Sequence, residues 1–213
     1  MRRTKEESEQ TRQQILAAAR DMFARQGVTR TSLEQIAQAA GVTRGAIYWH
    51  FSNKTALFYA MREQVLLPCI DQVDPTLLGA DPTDPLAGVE RLLRELINKV
   101  ETDLATRQTF QILTFKCEYV GELQRELELQ LTHNREFMSK LTQAYGRAER
   151  ANQLRTDLKP ELAALDTCSF LVGLLRLWLM DEDGTLVRNT AAELIGAHIG
   201  GCRRRSPFAD NNE

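Results

Sequence analysis

The chain lacks any close pair of cysteines: Cys69, Cys117, Cys168 and Cys202 stand singly, without the spacing that a zinc or redox site uses. They read as reduced, small apolar residues. Histidine is equally sparse, with His50, His133 and His198 far apart in sequence, so no metal is implied. No run approaches the roughly 20 consecutive apolar residues of a membrane span. The opening MRRTKEESEQ also lacks the apolar centre of a secretory leader, so a cytoplasmic location without membrane attachment is expected. No Gly-rich phosphate loop, nucleophile elbow or assembled set of acids and bases occurs, which argues against an enzyme and implies no cofactor. Alternating β-branched runs bounded by turns are missing too, and the expected class is all-α.

What is present suffices for a core. Of 213 residues, 43% are hydrophobic and 26% charged, ordinary proportions for a globular chain. The formal net charge of −2 hides an asymmetry: residues 1–54 carry +4 and the remainder −6. A basic head suits a polyanion and an acidic body repels one, so nucleic acid would meet only the first quarter of the chain. A mildly basic segment can also be no more than a solvated surface.

Apolar residues Ile15, Leu16, Ala19, Met22 and Phe23 recur at helical steps between Lys5 and Gln26, and Gly27 stands where a helix stops. Thr31 to Glu34 has the T-x-x-E form of a capping box, opening a short helix through Ala40 with Leu33, Ile36 and Ala37 inward. Thr43 can cap a third helix, Arg44 to His50, held by Ile47 and Phe51. Two short helices around an AAGV turn make a helix-turn-helix candidate. Ser52 or Asn53 can cap a fourth helix that stops near Pro68. Residues 74–85, rich in proline and aspartate, read as a loop. Beyond it helices are expected at about 86–104, 106–119, 121–151, 160–181 and 187–202. The helix from Pro160 is apolar around most of its circumference and calls for burial on several sides. With the last helix it could form a four-helix bundle with a second copy, or simply an intramolecular core. The tail 205–213 reads as disordered.

In a helix-turn-helix the second short helix enters the major groove and its first turn meets base edges, while hydroxyls and basic groups hold phosphates. Arg44 sits where a guanidinium can pair with guanine O6 and N7, worth ~1–3 kcal/mol of discrimination. Gly45 and Ala46 keep that face slim. Tyr48, Trp49, His50 and Lys54 supply further donors, and Thr31, Ser32 and Thr43 add hydroxyls near helix N-termini, where anions are favoured. Taken singly, each has another reading: Tyr48 and Trp49 as core aromatics, His50 as a helix-end partner, Lys54 as a solvated charge.

Their joint order resembles a known signature. The stretch TSLEQIAQAAGVTRGAIYWHFSNKTALF is similar to the DNA-binding segment of the TetR family of transcriptional regulators, over about residues 10–60. That family's recognition helix ends in Tyr-x-His-Phe, followed by a polar pair, Lys and an apolar helix. The resemblance implies nine or so helices, a homodimer built on the last two, and a pocket for a hydrophobic small molecule in the body. It divides the chain into a DNA-binding head, 1–53, and a ligand-binding and dimerisation domain, 54–204. The opening RRTKEESEQTR and the segments GVTRGAIYWHF, ILTFKCEY and GLLRLWL resemble in particular repressors of multidrug efflux pumps, the AcrR and TtgR kind. Phe110 and Phe115 depart from the polar residues of some relatives, so ligand preference need not carry over.

Helical face and placement in that family select candidate pocket walls: Leu66, Leu92, Leu93, Leu96, Phe110, Leu113, Thr114, Phe137, Leu141, Leu171 and Leu175. Periodicity cannot separate a packed leucine from one that lines a cavity. Asn134 interrupts an apolar seam on helix 121–151, formed by Leu123, Leu127, Leu131, Met138, Leu141 and Tyr145. It needs a partner, which a neighbouring helix, water or a ligand could supply. Arg176, amid the apolar 170–179 run, poses the same question. The expected function is a dimeric repressor that binds a pseudopalindromic duplex and is released by an amphipathic small molecule. A regulator of a metabolic operon, an activator, a structural DNA-binding protein without a ligand, a regulator that senses a protein partner, and an enzyme with a DNA-binding head are the other readings.

Overall fold

The structure, a computed structural model, describes residues 5–78 and 84–204. Among these the only β pairing is a single bridge between Leu154 and Arg203. The expected disordered tail and residues 79–83 of the expected loop lie outside the described residues. Ten α-helices follow among the described residues: α1 (Lys5–Gln26), α2 (Leu33–Ala39), α3 (Arg44–His50), α4 (Lys54–Asp71), α5 (Val73–Leu78), α6 (Pro85–Thr102), α7 (Leu104–Gln111), α8 (Gln124–Arg150), α9 (Pro160–Met180) and α10 (Ala191–Cys202). A π-helical turn, Ile112–Lys116, follows α7.

Two compact units result. One comprises the chain up to Pro68 with Lys99–Glu128, the other Cys69–Asn98 with the chain from Leu129. The first is built on one buried cluster in which Ile15, Leu16, Ala19 and Phe23 of α1 meet Leu33, Ile36 and Ala37 of α2, Ile47 of α3, and Leu57, Phe58 and Met61 of α4. Each large side chain sealed there is worth about 1.5–3 kcal/mol. Ile112 and Leu113 of the π turn complete the cluster, and the Val28 N–H donates to the Lys116 carbonyl at 3.1 Å. A second link lies deep in this unit, where Arg62 of α4 and Glu126 of α8 form an ion pair at 2.6 Å with side chains 3% and 0% exposed.

Several elements differ from the pattern that the sequence predicts. α4 runs to Asp71 with Pro68 inside it, because a proline removes only one helical hydrogen bond when the flanking turns hold. Residues 73–78 are helical rather than loop. The segment expected as one helix over 106–119 gives way after Gln111 to the π turn, and Tyr119 then donates to the Leu113 carbonyl. The last α-helix begins at Ala191 instead of 187, preceded by a 3-10 turn.

The second unit contains α5, α9, α10 and parts of α6 and α8. Tyr145 of α8, Thr167 of α9 and His198 of α10 are joined by hydrogen bonds of 2.6 and 2.9 Å, and the His198 ring stacks on Phe170 at 4.2 Å. Burial lowers the pKa of His198, although Asp166 opposes this. The α9–α10 connection is held by Asp181, whose carboxylate accepts from the N–H groups of Leu186, Val187 and Arg188. By length and composition α9 is long and apolar enough to cross a membrane, a property that a count of consecutive apolar residues missed because Asp166 and Arg176 interrupt the run. One of its faces, including Ala163, Ala164, Thr167, Leu174 and Trp178, is buried. The other is not: Leu162, Leu165, Val172, Leu177 and Met180 are exposed, as is Leu194 on α10. Burial on several sides is therefore not achieved within one chain.

Candidate nucleic-acid interface

The α2–turn–α3 element is built by three local devices. Ser32, not Thr31, caps α2: its hydroxyl accepts from the Gln35 N–H while the Gln35 side chain accepts from the Ser32 N–H. The expected box was thus displaced by one residue, because the Thr31 hydroxyl turns inward and donates to the Gly27 carbonyl at 2.7 Å. Gly41 follows with φ of 66°, the left-handed conformation that glycine adopts without strain and that turns the chain between the helices. Thr43 caps α3 by accepting from the Ala46 N–H, a contribution of about 1 kcal/mol. Asn53 then caps α4 through the Ala56 N–H at 2.7 Å.

With Ile47 fixed in the core, the opposite face of α3 points outward. Thr43, Arg44, Gly45, Tyr48 and Trp49 are all exposed, Trp49 at 83%. This removes the core-aromatic reading of Tyr48 and Trp49. A side chain at Gly45 would meet only the Thr43 hydroxyl, at 4.0 Å, so the surface beside Arg44 is open. The Arg44 guanidinium lies over the Tyr48 ring at 5.6 Å, and its Nε is 3.4 Å from Glu34 of α2. His50 is half-buried, its ring 6.3 Å from that of Phe51.

Two residues expected among the DNA contacts have other occupations. Thr31 is buried. The Lys54 ammonium donates to the carbonyls of Val28, Thr29 and Thr31 at 2.8, 3.2 and 2.9 Å, so all three of its protons are used in holding the α1–α2 loop. A phosphate would have to displace one of these bonds. Ser32 remains half-buried beside the turn.

A small trihelical head exposes a cationic, aromatic helix, and the family profile "Bacterial regulatory proteins, tetR family" matches residues 15–61. A second profile, "MAATS-type transcriptional repressor, C-terminal region", matches residues 84–201. The chain belongs to the tetR family of bacterial regulatory proteins. As a tetR-family member it is a transcriptional regulator, not an enzyme. It is similar to the HTH-type transcriptional regulator TtgR of Pseudomonas putida, 38% identical over 183 residues that cover 86% of this chain and 87% of that one. Among solved structures it is similar to NalD, the secondary repressor of the MexAB-OprM multidrug efflux pump in Pseudomonas aeruginosa, with TM-score 0.81 and 36% identity over 95% of this chain and 100% of that one. A complex of SmeT with triclosan is also similar, with TM-score 0.77 and 26% identity over 95% and 96% of the two chains.

The expected pocket residues fall into three groups. Leu92, Leu93, Leu113 and Leu141 are buried; Leu66, Leu96, Phe110, Thr114, Phe137, Leu171 and Leu175 are half-buried; Asn134 and Arg176 are exposed in the single chain. The seam on α8 is not continuous, since Leu127 and Leu131 are also exposed. Leu113 belongs to the cluster around Phe23 and Phe58. A cavity of about 280 Å³ in the first unit is lined by Arg25, Gln26, Gly27, Thr29, Arg30 and residues 115–118, and none of the expected wall residues lines it. Sequence reasoning missed Glu34 as a partner of Arg44 and the Arg62–Glu126 pair. The first had a signal: Glu34 is the sole acidic residue between Gly27 and Lys54.

Proposed function

We propose that the protein is a homodimeric repressor that reads a pseudopalindromic duplex with two copies of α3 and leaves it when a hydrophobic or amphipathic small molecule binds the body. The observation that carries this reading is the outward face of α3, where Arg44, Gly45, Tyr48 and Trp49 stand exposed on a helix capped by Thr43. Arg44 reads a guanine, Tyr48 and Trp49 line the groove, and Thr43 with Ser32 and His50 approaches phosphates. The apolar residues left exposed on α9 and α10 form the dimer contact, because a patch containing Leu162, Leu165, Val172, Leu177, Met180 and Leu194 is costly in water. The fixed dimer sets the two heads about one helical turn, ~34–36 Å, apart.

The similarity to NalD and to SmeT bound to triclosan supports a multidrug efflux operon as the target and a triclosan-like amphipathic aromatic as the effector. Within the second unit, the half-buried residues Leu96, Phe137, Leu171 and Leu175 would re-pack around it, Leu92, Leu93 and Leu141 would back them, and Asn134 or Arg176 would orient its polar end. A cytoplasmic location follows from this role. The test is selection of a tight-binding duplex from a random pool, followed by titration across salt. A palindromic consensus with affinity falling steeply as salt rises is expected. Binding that ignores both sequence and salt would refute the reading.

A further inference from the structure

The sole carboxylate in the segment from Gly27 to Lys54 lies beside the side chain that this reading assigns to base recognition. Arg30, Arg44 and Lys54 are the segment's Lys and Arg residues, and Glu34 is its single acid. A carboxylate on a surface that meets phosphates weakens binding to every duplex. Glu34 is exposed to 52%, too open to be a core residue, and its Oε1 is 3.4 Å from the Nε of Arg44, itself 71% exposed. The Tyr48 ring supports the same guanidinium from another side at 5.6 Å.

We propose that Glu34 is a positioning residue for DNA recognition. By engaging Arg44 through Nε, it leaves the two Nη groups to meet guanine O6 and N7 end-on. The guanidinium is planar and carries its donors in a fixed fork. An ion pair on the Nε side at 3.4 Å therefore disfavours the side-on approach that uses Nε with one Nη. Held between Glu34 and Tyr48, the side chain enters the groove with fewer orientations open to it, and less ordering remains to be paid on binding. The carboxylate also cancels one positive charge next to the phosphates, which lowers affinity for random sequence and leaves base pairing by the Nη groups intact. Glu34 thus acts on specificity twice, by aiming the cation and by opposing indiscriminate binding.

This inference rests on the reading of α3 as the recognition helix, and the experiment separates the two. Full-length protein and the variants Arg44→Ala, Glu34→Ala and Glu34→Gln are titrated against the selected duplex, a panel carrying each single base change, and a random duplex. Thermal melts of each variant establish that it is folded. Arg44→Ala flattens the preference at one position per half-site by ~5–150-fold, the range that ~1–3 kcal/mol implies. Glu34→Ala gives a several-fold loss of preference at that same position and a several-fold gain in random-duplex affinity at low salt. Glu34→Gln, which keeps an acceptor for Nε without the charge, restores the base preference but retains the raised random affinity. A role confined to the first turn of α2 would lower stability and leave the base profile as in the wild type. That profile in Glu34→Ala, or a failure of Glu34→Gln to restore preference, would overturn the inference while α3 still reads the duplex. An unchanged profile in Arg44→Ala would overturn the reading of α3 itself.

Discussion

Replacing Lys54 by methionine separates two roles that a lysine beside a recognition helix can have. Methionine keeps most of the apolar stem and removes every donor. In the structure the ammonium donates to Val28, Thr29 and Thr31 carbonyls, and hydrogen bonds from a charged donor contribute about 1.5–3 kcal/mol each. The bond to Thr29 is exposed and water can replace it; those to Val28 and Thr31 are partly sheltered. The net loss is then ~2–4 kcal/mol after partial resolvation. At roughly 2–4 °C per kcal/mol for a chain of this length, the melting temperature falls by about 4–16 °C. The assay pairs thermal unfolding with duplex binding across salt, at a temperature where the variant remains folded. A lysine that neutralises a phosphate contributes about 0.9 to the slope of log K against log salt. The expected outcome is a lowered melting temperature with the salt slope unchanged, and a modest loss of affinity shared by all sequences as the α1–α2 loop loosens. An unchanged melting temperature with a slope smaller by about 0.9 would refute the carbonyl-clamp account and return Lys54 to the phosphates.

Three further outcomes follow from the packing. Removing one partner of the buried Arg62–Glu126 pair, as in Glu126→Ala, destabilises by about 3–5 kcal/mol in denaturant titrations. The double replacement Arg62→Met with Glu126→Leu recovers most of that, and equal damage from single and double changes would contradict this. Burial would raise the Asp181 carboxyl, but the N–H groups of Arg188, Val187 and Leu186 outweigh it and hold the pKa down at about 2, below its ordinary 3.8. The stability from this group is therefore complete above about pH 4 and lost as pH falls through 2. Asp181→Asn should melt lower at pH 7 by a margin that shrinks between pH 4 and 2, and a margin independent of pH would refute it. Leu194→Glu, placing a charge in the proposed dimer contact, should give monomers or aggregates in sedimentation, whereas an intact dimer would locate the contact elsewhere.

The head was legible from sequence because its signals are local. Capping residues lie beside the helices they cap, Gly41 marks the turn, and Ile47 points inward by periodicity, so α2 and α3 follow with an error of one residue at Ser32. Tertiary partners carry no such mark. Lys54 and the carbonyls it clamps are more than 20 positions apart, and Arg62 and Glu126 are 64 apart. The π turn escaped because its Ile112 and Leu113 satisfy a helical pattern while the backbone bends to give the Lys116 carbonyl to Val28. On α8 and α9 the hydrophobic period marks apolar faces, but it does not distinguish a leucine that is buried within the chain from one that is exposed. Leu127, Leu131 and Val172 carry the same apolar signal as buried neighbours yet are exposed in the single chain.

The central claim is that one small molecule and one duplex compete through the body of the same protein. Linkage makes this a single calorimetric comparison: triclosan is titrated into the free protein and into the protein saturated with its selected duplex. The account predicts tighter binding to the free protein, by the same factor by which saturating triclosan weakens duplex binding. Equal affinity in the two titrations would contradict it.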